Sequence, residues 1–180
     1  MKPLTATTYR SLEEIGSTTW QAYFDQCEPF LSWPFLRGLE SSGCTTAQSG
    51  WQPAHIGFEQ DDALLGLVPA YLKTHSYGEY VFDWSWADAW HRMGLDYYPK
   101  LVTAIPFTPA TGQRFGYDSQ ANQNLERMAV GMQALCKQLN VSSWHVLFIG
   151  AAESARLSQC GMPQRLTTQF HWFNREYRDF

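Results

Sequence analysis

Residues 122–149, NQNLERMAVGMQALCKQLNVSSWHVLFI, contain the two clearest secondary-structure patterns of the chain. The first part repeats apolar residues along one helical face, and Asn140 is suited to end that helix. The stripe consists of Leu125, Met128, Ala129, Met132, Leu135 and Leu139. Residues 144–149 are almost continuously apolar, as in a central strand that is covered on both faces. A helix followed by such a strand indicates an α/β fold.

The rest of the chain supplies further helices and strands in alternation. Helical patterns cover residues 17–24, 33–41, 86–93 and 152–160. Strand patterns lie near residues 8–10, over 101–105 and over 168–173, and a hairpin is predicted from 54–59 and 64–72. The resulting order, β-α-α-β-β-insert-β-α-β-α-β, predicts a mixed central sheet flanked by helices.

Size and charge limit the classes of protein to consider. The chain has 180 residues, of which 44% are hydrophobic and 17% charged, as expected for one folded domain. Its net charge of −4 argues against a DNA-binding protein. The sequence has no apolar run of the roughly 18 residues that a membrane span needs, and its N-terminus lacks a signal peptide. We therefore expect a cytoplasmic protein.

The four cysteines, Cys27, Cys44, Cys136 and Cys160, lie far apart in the sequence. They form no C-x-x-C pair, and no histidines follow them at the spacing of a zinc site. A disulfide framework is typical of smaller secreted chains with a poorer core. We predict reduced, buried thiols and no bound metal.

Aromatic residues make up 16% of the chain and concentrate between residues 77 and 98. This aromatic cluster consists of Tyr77, Tyr80, Phe82, Trp84, Trp86, Trp90, Tyr97 and Tyr98. Aromatic walls exclude water from a site and can stack on a sugar or a nucleobase. We expect a functional site here. The alternative is a packed aromatic loop whose polar groups satisfy one another.

Residues 69–89, PAYLKTHSYGEYVFDWSWADA, resemble the signature block of the FemAB-like family. These proteins are described as predicted N-acyltransferases or peptidoglycan biosynthesis proteins, and they are related to the GNAT acyltransferases. Similar segments occur at residues 32–36, 50–53, 94–101, 106–109 and 170–175. The resemblance thus runs from about residue 20 to the C-terminus.

The resemblance implies a GNAT-like acyl-CoA N-acyltransferase fold. Family members are about twice as long as this chain, so residues 1–180 would be a single GNAT-like domain, the N-terminal half of a two-domain protein. The missing partner would be a C-terminal GNAT-like half. The implied activity is transfer of an acyl or aminoacyl group to an amine, such as that of a cell-wall precursor or another small molecule.

Amine acylation needs a general base that takes the proton of the ammonium group, and a histidine or a carboxylate of raised pKa suits that role. We select His75 and Glu79 as candidate bases. Tyr77 or Tyr80 would be the acid that protonates the leaving group. The candidate substrate-binding residues are Lys73, Asp83, Trp84, Trp86, Asp88, Tyr97 and Tyr98.

The resemblance also places a pyrophosphate-binding loop before the long helix, where backbone N–H groups would hold coenzyme A. Its candidate residues are Thr111, Gly112, Gln113, Arg114 and Gly116. Asp118 stands where the pattern has a second small residue, and an acid there would repel a phosphate, so a surface loop is the alternative. The acyl donor would be a coenzyme A thioester or an aminoacyl-tRNA, although the net charge of −4 gives RNA contact little support.

A second function class stays open. The chain could be a non-catalytic recognition or structural half-domain, with the aromatic cluster binding a peptidoglycan-type or tRNA-linked ligand. The remaining histidines, His55, His145 and His171, lie on predicted strands, and we interpret them as structural.

The C-terminal segment is rich in aromatic residues: Phe170, Trp172, Phe173, Tyr177 and Phe180. If a second half normally covers them, they are exposed in this chain and can pair with another copy. We therefore expect a homodimer that forms through this segment or through the aromatic cluster.

Overall fold

The structure is a computed structural model, and it describes residues 4–24, 28–118 and 124–179. Its strands are β1 (Thr5–Tyr9), β2 (Trp51–Pro53), β3 (His55–Gln60), β4 (Ala63–Val68), β5 (Tyr71–Lys73), β6 (Lys100–Thr103), β7 (Gly116–Tyr117) and β8 (Trp144–Val146). Its helices are α1 (Leu12–Ile15), α2 (Ser17–Phe24), α3 (Trp33–Ser41), α4 (Trp84–Arg92), α5 (Asn124–Gln138) and α6 (Ala151–Gln159). The predicted mixed α/β class is confirmed.

The strands form two sheets and not the single central sheet predicted from the sequence. One sheet has the order β1-β3-β4-β7 and the other β2-β5-β6-β8, in which β6 and β8 are parallel. The predicted strand 64–72 is divided into β4 and β5, because Pro69 has no N–H to donate to a ladder. The N–H of the next residue, Ala70, donates instead to Nδ1 of His55. The chain thus passes from the first sheet to the second between β4 and β5. The GNAT-like arrangement of these elements stays a prediction.

Successive side chains of β4 point to opposite faces of the first sheet, so they pack into two different parts of the core. Val68 packs in the cluster that contains the apolar stripe of α5, whereas Leu67 packs against α2 and α3. Met128 and Met132 of α5 are fully buried, as predicted. Burial of each such side chain stabilises the fold by about 1.5–3 kcal/mol. A smaller cluster around Trp51 lies within the second sheet.

Two predicted strands differ from the structure. Strand β8 ends at Val146, because Phe148 adopts a left-handed backbone (φ 51°) that interrupts the extended chain. Its three residues are half-buried and not covered on both faces. Residues 168–173 pair with no strand in the described part of the chain. Their alternating pattern is present, but Phe170 and Trp172 are exposed and bury no apolar face. The short elements α1, β2 and β7 were not predicted.

Among the described cysteines, which are all free, Cys136 is buried and Cys160 is half-buried. The prediction of a buried thiol is wrong for Cys44, which lies in the exposed turn after α3. Cys27, Asn122 and Phe180 lie outside the described residues.

In the ranges that the structure covers, no helix is both long and apolar enough to cross a membrane.

Candidate functional site

Residues 76–83, which lie in the segment between β5 and α4, have an unusual backbone. Tyr80 (φ 60°) and Phe82 (φ 50°) adopt left-handed conformations that bulky residues rarely occupy. Each such residue costs on the order of 1–3 kcal/mol unless the surroundings enforce it. The conformation turns Tyr80 and Phe82 outward, at 51% and 72% exposure, and it buries Glu79 and Asp83 to 2% exposure each. We call this segment the carboxylate loop.

Lys100, at the start of β6, holds the carboxylate loop from inside. Its fully buried Nζ donates to Ser76 Oγ (2.9 Å), Glu79 Oε2 (2.8 Å) and Asp83 Oδ2 (2.6 Å). These contacts reach the beginning, the middle and the end of the loop. The lysine therefore bridges the two carboxylates and holds the strained backbone at three points.

Two tyrosines extend this network. The Tyr97 hydroxyl donates to Asp83 Oδ2 (2.7 Å), and the Tyr98 hydroxyl shares a hydrogen bond with Ser76 Oγ (2.7 Å). Nζ of Lys100 lies 5.1 Å and 5.6 Å from the centroids of the two rings, within the range of cation–π attraction.

The two carboxylates differ in acidity although they share one lysine. Burial raises the pKa of Glu79, and the attraction of Lys100 only partly offsets this effect. Burial also acts to raise the pKa of Asp83, but hydrogen bonds from Lys100, Ser76 and Tyr97 outweigh it and lower that pKa to about 2. Asp83 is thus a permanent anion, whereas Glu79 is the carboxylate that takes up a proton more readily.

Lys73 is a second buried lysine beside the network. Its Nζ lies 3.7 Å from the centroid of the Trp51 ring and donates to the Tyr77 carbonyl (3.2 Å). Burial lowers the pKa of Lys73 to about 7, although the charges of Glu79 and Asp83 counteract this shift. The amine therefore loses its proton readily at neutral pH.

His145 of β8 also faces the carboxylates. One oxygen of Glu79, one oxygen of Asp83 and one ring nitrogen of His145 lie within 4.8 Å of one another. Burial lowers the pKa of His145 to about 4, so the ring is neutral at pH 7. Its Nε2 lies 3.1 Å from Ser143 Oγ.

The predicted aromatic residues divide between the network and the surface. Tyr97 is buried, whereas the rings of Tyr77 and Trp84 are exposed, with centroids 4.9 Å apart. Trp86 and Asp88 lie on the outer surface of α4. Neighbouring exposed rings are typical of surfaces that bind a ligand or a partner. We call Tyr77, Tyr80, Phe82, Trp84 and Trp86 the aromatic rim.

His75 is engaged with the backbone. Its Nδ1 accepts the N–H of Tyr77 (3.2 Å), and the ring also hydrogen-bonds to the backbone of Ser49. Burial lowers the pKa of His75, so the ring is neutral. These contacts orient the chain at Tyr77 and leave Glu79 as the better-placed candidate base.

Lys73, Glu79, Asp83, Tyr97 and Tyr98 of the predicted site are thus brought together. The sequence reasoning missed the roles of three further residues, Ser76, Lys100 and His145. A lysine beside the apolar residues 101–105 was the available signal for Lys100, because a charge next to a buried strand needs a partner.

The predicted coenzyme A loop uses its donors within the chain. The N–H of Gly112 donates to the Phe148 carbonyl (2.9 Å), and the N–H of Arg114 donates to Glu153 Oε2 (3.2 Å). The Arg114 side chain is buried, and its Nε donates to the Leu147 carbonyl (2.8 Å).

The same loop contains the other three residues predicted to bind coenzyme A, Thr111, Gln113 and Gly116. Nε2 of Gln113 donates to the Phe115 carbonyl (2.5 Å), and Gly116 belongs to β7. Thr111 is exposed. A Cβ atom on Gly112 would meet Glu28 Oε1 at 1.6 Å, so a carboxylate covers the face that a phosphate would need. Binding of coenzyme A at this loop stays a prediction.

Comparison with known proteins adds one finding. The sequence model of the FemAB-like family, described as peptidoglycan biosynthesis/recognition, matches residues 11–180. No curated protein and no solved structure matches the chain significantly. On the strength of a match over nearly its whole length, this chain belongs to the FemAB-like family.

Proposed function

We propose that this chain takes part in N-acyl transfer, in which an acyl or aminoacyl group is placed on an amine of a peptidoglycan precursor. The observation that carries the proposal is Glu79: a buried carboxylate of raised pKa, held by Lys100 beneath an exposed aromatic rim. Perturbed acids in such settings are typical of general bases. The family description supplies the peptidoglycan context.

The reaction assigns one role to each group. Glu79 first takes one proton from the ammonium group of the acceptor, and the neutral amine nitrogen then attacks the carbonyl carbon of the donor to form a tetrahedral oxyanion. The bond to the leaving group then breaks, and Tyr77 or Tyr80 at the rim supplies a proton to that group and recovers one from the nitrogen of the new amide. Asp83 stays charged and fixes Lys100, which keeps Glu79 in place.

The donor and the wider assembly are parts of the proposal. An aminoacyl-tRNA is favoured over a coenzyme A thioester, because the loop proposed for coenzyme A uses its donors internally and adjoins Glu28. In a GNAT-like fold, a second half would cover the exposed C-terminal segment, and in its absence two copies would pair there.

Non-catalytic recognition is a second candidate, and one observation favours it. Glu79, Asp83 and Lys100 are closed off from solvent, so the aromatic rim is the accessible surface. In this case the network would serve only to fix the rim in a shape that binds a peptidoglycan-type ligand.

A transfer assay separates the two candidates. The chain is incubated with a muropeptide precursor that carries a free side-chain amine, and with either an acyl-coenzyme A or an aminoacyl-tRNA. Mass spectrometry should show the acylated precursor with one of the two donors. Glu79→Gln should lower the rate by about 100-fold or more, as loss of a general base does. The exposed Glu13→Gln is the matched control and should leave the rate unchanged. Binding of the precursor without transfer from either donor would favour recognition.

A further inference from the structure

The proposed transfer leaves one surplus proton on Glu79 in every round. The acceptor enters as an ammonium ion and leaves as a neutral amide, and the leaving group gains its proton at the rim. The proton on Glu79 must therefore reach the solvent before the next round. Glu79 is only 2% exposed, and the acceptor covers its rim side during the reaction. The proton needs an exit that stays open while the aromatic rim is occupied.

One oxygen of Glu79 is available for such an exit. Oε2 accepts from Lys100, whereas the buried Oε1 has no hydrogen-bond partner among the residues that the structure describes. Buried polar atoms of this kind are commonly hydrogen-bonded to internal water. A Glu79 oxygen and a ring nitrogen of His145 lie within 4.8 Å of each other. One water that hydrogen-bonds to both atoms spans up to about 5.6 Å, so it can bridge this distance.

His145 continues the path toward the surface. Its Nε2 lies 3.1 Å from Ser143 Oγ, and Ser143 lines a cleft of about 340 Å³ at the C-terminal end of α5. The exposed residues Gln133 and Lys137 also line this cleft, so it is open to solvent. Its described lining residues include none of the aromatic rim. The cleft therefore stays accessible when the rim is occupied.

The chemistry of the His145 ring suits proton transfer through it. A neutral imidazole accepts a proton at one nitrogen and donates one from the other. Burial lowers the pKa of His145 to about 4, and the charges of Lys100 and Arg165 act in the same direction, whereas that of Asp83 opposes them. The ring therefore passes a proton on without keeping it. The Ser143 hydroxyl both donates and accepts, so it can carry the proton to water.

We propose that His145 and Ser143 form a proton relay that connects Glu79 with the cleft at the end of α5. Glu79 gives its proton to the bridging water, and that water gives one of its protons to the His145 ring. The ring releases a different proton to Ser143 Oγ, which in turn releases its own proton to water in the cleft. Each group gains one proton and loses one, and the return of the ring to its first tautomer resets the relay. This inference rests on the proposed function, because the surplus proton arises from acyl transfer.

Proton exchange of Glu79 can be measured without an acyl donor. In the full chain, labelled with ¹³C at the glutamate side-chain carboxyls, NMR relaxation dispersion gives the exchange rate at the midpoint of the Glu79 titration. Glu79→Gln identifies the signal. His145→Gln, which keeps a polar side chain but passes no proton, should lower this rate by about tenfold or more. A wild-type rate in folded His145→Gln would overturn the inference.

Two serine variants form a matched pair. Ser143→Ala removes the last hydroxyl of the relay and should also lower the exchange rate. Ser158→Ala removes an exposed hydroxyl of α6 and should leave the rate unchanged. A dispersed NMR spectrum establishes that each variant has folded, and if His145→Gln unfolds, Ser143→Ala provides the test. Equal rates in the two folded serine variants would overturn the relay.

Chemical rescue separates proton transfer from a structural role. In His145→Ala, added imidazole should raise the exchange rate, because this ring accepts and donates protons in the space that the side chain leaves. Pyrrole has the same ring size but no accepting nitrogen, so it should have no effect. Equal effects of the two rings would contradict a relay through His145.

Failure of this inference differs from failure of the proposed function. Acyl transfer at the wild-type rate in folded His145→Gln would refute the relay and leave transferase activity intact. Proton exchange of Glu79 that depends on His145, without transfer from either donor, would support the relay and count against catalysis.

Discussion

Replacement of Lys100 by methionine tests whether this lysine organises the site. Methionine keeps most of the volume of the lysine stem but removes Nζ and its hydrogen bonds to Ser76, Glu79 and Asp83. The carboxylates of Glu79 and Asp83, both at 2% exposure, would then lose the cation that bridges them. The left-handed conformations of the carboxylate loop would also lose their main restraint.

The expected loss of stability follows from this geometry. Removal of one partner from a buried ion pair costs about 3–5 kcal/mol, because the remaining charge stays buried and unpaired. For a domain of this size, 1 kcal/mol corresponds to about 2–4 °C in Tm. We therefore expect Lys100→Met to lower Tm by roughly 6–20 °C.

Urea unfolding followed by tryptophan fluorescence measures the change in the free energy of unfolding. Lys137→Met, at an exposed position of α5, is the matched control and should change it by no more than about 0.5 kcal/mol. Addition of Glu79→Gln and Asp83→Asn to Lys100→Met should restore part of the loss, since the unpaired charges are then absent. A loss below about 1 kcal/mol for Lys100→Met alone would refute the central role of this lysine.

Three further predictions concern other parts of the chain. The pKa of Lys73 is about 7 in the folded chain, below its ordinary value of 10.5, so the unfolded chain binds more protons between these limits. The free energy of unfolding should rise with pH over that range, and Lys73→Met should abolish the rise in pH-dependent urea unfolding. Acetyl-coenzyme A should leave Tm unchanged in thermal scans, because the backbone N–H groups of Gly112 and Arg114 already donate hydrogen bonds within the chain. A saturable increase in Tm would contradict this expectation. Trp172 is 66% exposed, so the chain should sediment as a dimer at tens of micromolar and Trp172→Ser should weaken the dimer; a wild-type monomer would count against self-association.

The fold was predictable where a pattern reports directly on burial. The stripe of α5 identified its buried face, because one side of that helix meets the core along its whole length. The change of sheet at Pro69 could not be predicted, since it depends on where the second sheet lies in space. The pattern of residues 168–173 was misleading for a related reason: alternation predicts a strand only if a partner strand is present.

The site was predictable only where its residues are neighbours in sequence. Glu79 and Asp83 lie four residues apart within one aromatic segment, and that proximity drew attention to both. Lys100 joins them because β5 and β6 pair with Lys73 opposite Lys100. His145 joins them because β6 and β8 run parallel with Val102 opposite His145. Neither pairing can be read from one sequence: the first brings the lysine to the carboxylates, and the second brings the neutral ring of His145.

The role of Glu79 as the base of an N-acyl transfer is tested most directly by the pH dependence of transfer to a muropeptide amine under single-turnover conditions. Burial raises the pKa of Glu79, so the wild-type rate should be low in acid and rise as this carboxylate ionises above its ordinary range. Glu79→Gln should remove that rise and lower the plateau by about 100-fold or more. A Glu79→Gln variant that retains the wild-type rate and pH profile would contradict the account.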